Sequence, residues 1–258
     1  WKAGGSSNTF NIDGKGYASA SAAGLDDGSI NPTGASVNTE SGFSILTYTG
    51  TGSNATIGHG LGKAPKLIWV KLRGSQDWFV NNGMIFNDYG KYYKLNSSSS
   101  SNASDTNVFP NTAPTSTVFS VGTDNAVNGN GDNYVAYIWS EIPGFSQFGY
   151  WTGNGSSDGT YVHTGFTPRM MIYRKASDEN WHMLDTQRDP LNPNSLGIDP
   201  NLSNAETSDS NIQIDFLGNG FKMRASHGTS NADGTNYFYY VWAGQPGTTP
   251  FGTHPNAR

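Results

Sequence analysis

The sequence predicts an all-β protein: two tandem antiparallel β-sandwich domains behind a leader rich in glycine, serine and asparagine. Three observations lead there. The first is a duplication. YVAYIWSEIPG (Tyr134–Gly144) recurs as YFYYVWAGQPG (Tyr237–Gly247), and GFSILTYTGTG (Gly42–Gly52) shares its pattern with FSQFGYWTGNG (Phe145–Gly155). The pairs Trp139/Trp242, Gly144/Gly247, Tyr48/Trp151 and Gly50/Gly153 all stand 103 residues apart. A fixed long period marks a repeated structural unit. The second is the texture of the chain: short runs of aromatic and β-branched residues end in Gly, Pro, Asn and Asp turns, with no 3.6-residue periodicity. The third is composition. Charged residues make up 14% and aromatics 13% of the 258 residues, with 33 glycines. That is well under the roughly 25% charge of an average domain, yet enough apolar material for a core.

Taken in order, residues 1–41 form the leader or connector. Trp1-Lys2 has the aromatic-then-glycine context of a strand end, Ala18–Gly24 reads as one weak helical turn, and the remainder is linker-like. The first sandwich spans 42–143. Its strands are expected at Ser44–Thr49, Lys66–Arg73, Trp78–Val80, Tyr92–Leu95, Thr117–Val121 and Tyr134–Glu141, with a Ser/Asn tract at Ser97–Ser104. Lys66–Arg73 is apolar on both faces, as a central strand would be. The second sandwich spans 144–247, joined to the first at Pro143-Gly144. Its expected strands are Phe145–Thr152, Arg169–Lys175, Trp181–Leu184, Ile212–Phe216, Phe221–Arg224 and Tyr237–Trp242, with LGNG (Leu217–Gly220) as a hairpin turn. Residues 248–258 form a tail. Positions kept in both copies, such as Pro65/Pro168, Trp78/Trp181, Asn133/Asn236 and Trp139/Trp242, are assigned to the scaffold, with Trp78 and Trp181 in the core and Trp139 and Trp242 structural.

Net charge is −5 with no basic cluster, which argues against a nucleic-acid partner or an anionic-membrane surface. No apolar run approaches the roughly 20 residues that cross a bilayer, so no membrane insertion is expected. Cysteine is absent, which removes disulfides and thiolate metal sites and leaves the compartment open. The start at Trp1, with no methionine and no visible signal peptide, reads as part of a longer or processed chain.

HGLGKAPKLIWVK, the joint EIPGFSQFGYWTGNGSSDG, GFTPRMMIYR and DFLGNGFKMR together resemble a tandem domain of tail-fibre and other virion proteins of tailed bacteriophages, marine ones especially. The resemblance covers both copies, Gly42–Gly247, and the leader from WKAGG. It implies β-sandwiches of a lectin-like, concanavalin type, and a non-enzymatic protein of the virion acting in host attachment. Partners would be other virion proteins and a host-surface glycan, with a homotrimer expected by analogy to phage fibres. HPNAR resembles a natural C-terminus. Two alternatives stay open: a structural decoration or connector domain with no ligand, and a glycan depolymerase.

Catalytic signatures are sparse. There is no GxSxG, HExxH, P-loop or cysteine nucleophile. A glycosidase needs two carboxylates flanking the scissile bond. Gln213-Ile214-Asp215-Phe216 resembles the Glu-Ile-Asp-Phe strand of laminarinase-type glucanases, but carries glutamine at the nucleophile position. The four glutamates (Glu40, Glu141, Glu179, Glu206) pair with none of their own kind in sequence.

No cofactor is expected beyond a metal. Asp124, Asp132, Asp158 and Asp233 lie in Asp/Asn/Gly loops whose oxygens suit Ca²⁺; the same composition equally builds Asx-turns. The histidines are scattered, His59 and His163 in equivalent turns. Sugars dock on exposed aromatic faces flanked by amides and carboxylates. Aromatics unique to one copy are the candidates: Tyr89, Tyr92 and Tyr93 with Asn87 and Asp88 in the first, and Tyr161 in the second. The plainer reading makes them core or interface residues, with Tyr92 and Tyr93 on opposite faces of a strand.

Overall fold

The structure is a computed structural model that describes residues 9–99 and 104–244. Trp1-Lys2, the 248–258 tail and the middle of the Ser/Asn tract fall outside the described residues. The protein is all-β and of sandwich type. Its described residues divide into two units, one of 9–95 and 104–140, the other of 96–99 and 141–244.

In the first unit the strands are β1 (Phe10–Ile12), β2 (Lys15–Tyr17), β3 (Gly34–Asn38), β4 (Phe43–Thr49), β5 (Ala55–Gly58), β6 (Leu67–Leu72), β7 (Trp78–Asn81), β8 (Tyr92–Lys94), β9 (Val118–Val121) and β10 (Asn133–Trp139). One-turn helices α1 (Gly83–Phe86) and α2 (Asn125–Asn128) interrupt them. Eight strands form one sheet, in the order β2-β1-β3-β4-β10-β6-β7-β8, and β5 pairs with β9 in a second. The core lies between these sheets: Leu46, Tyr48, Val70, Tyr134 and Ile138 from the first meet Ile57, Phe119 and Val121 from the second. Strand alternation sends the other side chains to the far face. There Phe43, Trp69, Trp78, Tyr137 and Trp139 make ring contacts with centroids 4.9–6.5 Å apart.

The leader is not a connector. Within it β1, β2 and β3 extend the large sheet, β3 pairing antiparallel with β4 and β1 pairing parallel with β3. Ala20, Ala23, Leu25 and Ile30 enter the core. Residues 20–24 form turns rather than a helix, with the Ala23 N–H donating to Ser19 O. Low hydropathy hid these strands, because they carry alternating small and polar residues in three-to-five-residue pieces.

The second unit contains β11 (Ser146–Thr152), β12 (Tyr161–His163), β13 (Met170–Lys175), β14 (His182–Asp185), β15 (Leu196–Gly197), β16 (Thr207–Ser208), β17 (Ile214–Leu217), β18 (Gly220–Met223) and β19 (Asn236–Trp242). Its sheets run β11-β19-β13-β14 and β12-β18-β17, with β15-β16 as a small ribbon. Trp151, Tyr173, Leu184 and Tyr239 meet Ile214, Phe216, Phe221 and Met223 to make its core. Strand order β4-β10-β6-β7 recurs as β11-β19-β13-β14, and the register recurs with it: Phe43↔Trp139 becomes Ser146↔Trp242, and Ile68↔Asn81 becomes Met171↔Leu184. Trp139 and Trp242 are both buried. Trp181 is fully buried whereas Trp78 is half-buried, so the two members of that pair do unequal work.

A buried asparagine anchors each repeat. Asn128 Nδ2 donates to Ser53 O (2.6 Å) and Gly122 O (2.7 Å), while its Oδ1 accepts the Thr51 N–H (2.8 Å). Asn231, 103 residues on, donates to Ser156 O and Asn154 Oδ1 and accepts the Asn154 N–H. Each holds a turn that folds against a glycine. A Cβ on Gly50 would stand 2.2 Å from Gly129 O, and one on Gly153 would stand 2.2 Å from Ala232 O. That close approach is why both positions are glycine.

The far face of the second unit contains a buried cation. Arg174 lies 5.6 Å from the Trp181 ring and donates from Nη2 to Ser98 O (2.7 Å) and Ser99 O (2.8 Å). The 96–99 segment, expected within the first sandwich as part of its Ser/Asn tract, is therefore a structural piece of the second unit.

Candidate functional site

The first-copy candidates lie around α1 and β8. Asn87 ends α1 in the left-handed region (φ 54°), a conformation asparagine tolerates better than most residues. It is exposed, and its Oδ1 accepts the Tyr89 hydroxyl at 2.8 Å. The Tyr89 N–H donates to Asn111 Oδ1, and Asp88 faces Lys91 at 3.7 Å. Asn87, Asp88 and Tyr89 thus share one turn and hold one another in place. Tyr92 and Tyr93 take opposite faces. Tyr92 packs on Phe79 and Phe109 beside the core, and Tyr93 is 1% exposed at the position paired with Val80. Tyr93 has no surface to offer a ligand.

The four loop aspartates serve separate local jobs. Asp124 caps α2, accepting the Ala126 N–H at 2.7 Å. Asp132 accepts the Gly50 N–H through its carbonyl and lines a shallow 460 Å³ cavity with Arg73 and Asn133. Asp158 pairs with Lys222, and Asp233 lies against the Gly155 turn. Among the described residues no three His, Asp or Glu side chains converge as a metal site would require. His59 is fully buried, its Nδ1 accepting the Leu61 N–H and its Nε2 at 3.2 Å from Thr115 O. Burial pulls its imidazole below the ordinary histidine value.

Tyr161 differs from all of these. It sits on β12, the edge strand of the three-stranded sheet, and alternation fixes its direction. Val162 packs against the core, so Tyr161 and His163 face outward, both exposed. On the neighbouring strands Phe221 and Phe216 point inward, which leaves Lys222 and Asp215 outward in one row with Tyr161: the pairings are Tyr161↔Lys222 and Asp215↔Lys222. The tyrosine ring lies over Gly220. A Cβ there would come within 3.1 Å of both the ring edge and the hydroxyl oxygen. The hydroxyl donates to Asn219 Oδ1 at 2.9 Å and lies 3.3 Å from His163 Nδ1. The ring is thus laid along the sheet and tied at its tip, with 43% of the residue open to solvent.

Charge around the ring is balanced. Lys222 Nζ meets Asp158 Oδ1 at 2.5 Å, Arg224 Nη1 lies 3.7 Å from the same oxygen, and Arg224 Nε lies 3.3 Å from Asp215 Oδ2. The hydrogen bond from the Lys222 ammonium holds the Asp158 carboxyl below its ordinary value. Chemically this is an aromatic surface with an amide, an imidazole and a carboxylate near it.

Tyr161 was legible from the sequence as an aromatic unique to one copy, but its neighbours were not. LGNG revealed the hairpin, and the turn does fall at Gly218-Asn219. That Asn219 reaches back to Tyr161 across β18 requires the β12–β18 pairing, and β12 has no sequence signature. In the first unit the equivalent β5–β9 pair carries Thr56, Gly58, Val118 and Ser120 outward and no aromatic, and residues 25–30 lie along β5 through the Ile30↔Ile57 bridge.

No helix among the described residues is long and apolar enough to cross a membrane. No curated protein and no solved structure matches the chain. One family model does, described as a domain of unknown function, DUF7483, and it matches residues 3–246. That span takes in the leader and both repeats. The chain belongs to the DUF7483 family.

Proposed function

We propose that the chain is a non-enzymatic segment of a tailed-phage virion protein that attaches to a glycan on the host surface. The observation that carries the attachment reading is the Tyr161 ring, laid over Gly220 and fixed by Asn219 with one side open. A ring tied in one orientation with one side open offers a carbohydrate a flat surface that loses little entropy on binding. The resemblance of both repeats to phage fibre domains supports the virion setting, and the depleted charge and abundant small polar residues suit a particle displayed outside the cell.

The charged groups at the site favour binding over cleavage. Asp215 and Asp158 are each within ion-pair distance of a cation, and the Lys222 hydrogen bond holds the Asp158 carboxyl below its ordinary value, whereas a glycosidase needs one carboxyl held protonated as an acid. A purely structural reading has its own support in the first unit, where Tyr92 and Tyr93 are absorbed by packing. Incubation with host-surface polysaccharide separates the three readings. The attachment reading predicts retention of the polysaccharide without new reducing ends. New reducing ends would replace it with a depolymerase, and no retention would leave a structural part.

A further inference from the structure

We propose that the Tyr161 platform selects a neutral pyranose with a contiguous C–H face, and discriminates against acidic sugars. The proposal rests on the glycan reading above and adds the ligand class.

Two features of the site carry it. The first is its charge. Lys222 and Arg224 are the cations in the outward row around the ring, and Asp158 and Asp215 are bound to them, so the cluster sums to zero. Asp158 is the most exposed of the four, its side chain 81% open. A uronate or sialate approaching Lys222 therefore meets a carboxylate already in possession of the cation, and the chain's net charge of −5 adds weak repulsion.

The second feature is the hydrogen-bond inventory. Because the Tyr161 hydroxyl donates to Asn219 Oδ1, the amide is oriented, and its Nδ2 makes no bond among the described residues. Asp158 Oδ1 faces both cations, which leaves Oδ2 as an acceptor. An oriented donor and a spare acceptor match hydroxyl groups, which donate and accept together. A carboxylate only accepts, so it can take the Asn219 donor but can use neither Asp158 oxygen and is repelled by both. The exposed ring supplies the remaining contact, to which a sugar brings C–H groups.

The test is a titration of the full chain, followed by calorimetry and by saturation-transfer NMR. Methyl β-galactoside and methyl β-glucoside serve as neutral probes, with methyl β-glucuronide and N-acetylneuraminic acid as acidic ones. At least one neutral probe is expected to bind, with an affinity unchanged between low and high salt and with transfer strongest at its ring C–H protons. Tyr161→Ala should weaken that binding by roughly ten-fold or more, the scale of one aromatic contact, and Tyr161→Phe, which keeps the ring but frees the amide, by less. Asp158→Asn should weaken neutral binding, because it replaces the carboxylate acceptor, and should gain binding of the acidic probes, because Lys222 is uncovered; circular dichroism checks that each variant is folded. Preferential binding of the acidic probes by the native chain would overturn the ligand class and leave the glycan reading standing. Binding of none of the four would overturn the class as well, and polysaccharide retention would then decide the glycan reading independently. Neutral binding that survives Tyr161→Ala unchanged would remove the site from this surface.

Discussion

Replacing Asn128 by alanine is the sharpest probe of how each repeat is held together. The side chain is fully buried and makes three hydrogen bonds to backbone. Two of those partners, the Thr51 N–H and the Ser53 carbonyl, belong to exposed residues and can be rehydrated, so each loss costs about 1 kcal/mol. The third, the Gly122 carbonyl, is buried and would be stranded, at about 1–3 kcal/mol. The sum is about 3–5 kcal/mol, a large part of the roughly 5–15 kcal/mol that stabilises a typical domain. Asn231 has the same role, but all three of its bonds are only partly buried, so Asn231→Ala should cost less, about 3 kcal/mol. Two units need not unfold in one step. The suitable assay is hydrogen exchange by mass spectrometry across a urea series, reading the amides of Gly50, Thr51 and Gly52 for one variant and those of Gly153, Asn154 and Gly155 for the other. A loss below about 1 kcal/mol for Asn128→Ala, or a larger loss for Asn231→Ala than for Asn128→Ala, would refute the reasoning.

Three further outcomes follow from packing and ionisation. Gly153→Ala should destabilise its unit by about 1–3 kcal/mol, since the new Cβ meets Ala232 O at 2.2 Å and backbone must move; thermal melts monitored by circular dichroism read this out. Trp181→Ala should cost about 3–5 kcal/mol and Trp78→Ala distinctly less, because only the first indole is fully buried; denaturant midpoints compare them. Burial disfavours the charged form of His59, so its folded-state value lies below the ordinary histidine value of about 6.5. The unfolded chain therefore binds the proton first as pH falls through 6.5. Stability should decline from there downward, and His59→Gln should flatten that part of the pH profile by up to one proton.

The repeat was the most readable feature of the sequence, and the reason is physical. Central strands such as β6, β10, β13 and β19 carry dense β-branched and aromatic runs, and their register is fixed by side chains buried on both faces. Weak strands escaped notice. Both β1 and β12 are three residues long, and their strand state comes from neighbours already in place. The site was half legible for the same reason. Uniqueness to one copy identified Tyr161, but also Tyr92 and Tyr93, and only the pleat distinguishes a ring facing solvent from a ring in the core. Asn128 and Asn231 could have been found, since they stand 103 residues apart like the tryptophans. Each lies in a polar turn, where asparagine reads as turn chemistry rather than as a buried anchor.

Whether the outer face of the β12-β18-β17 sheet receives a glycan is read most directly by amide chemical-shift mapping. Host-surface oligosaccharide would be titrated into the isotope-labelled chain. The largest shifts are expected at Tyr161, Val162, His163, Asn219, Gly220 and Lys222, with the Tyr161 ring resonances following the same curve. Shifts centred instead on residues 87–92, or no shifts at saturating sugar, would contradict that expectation.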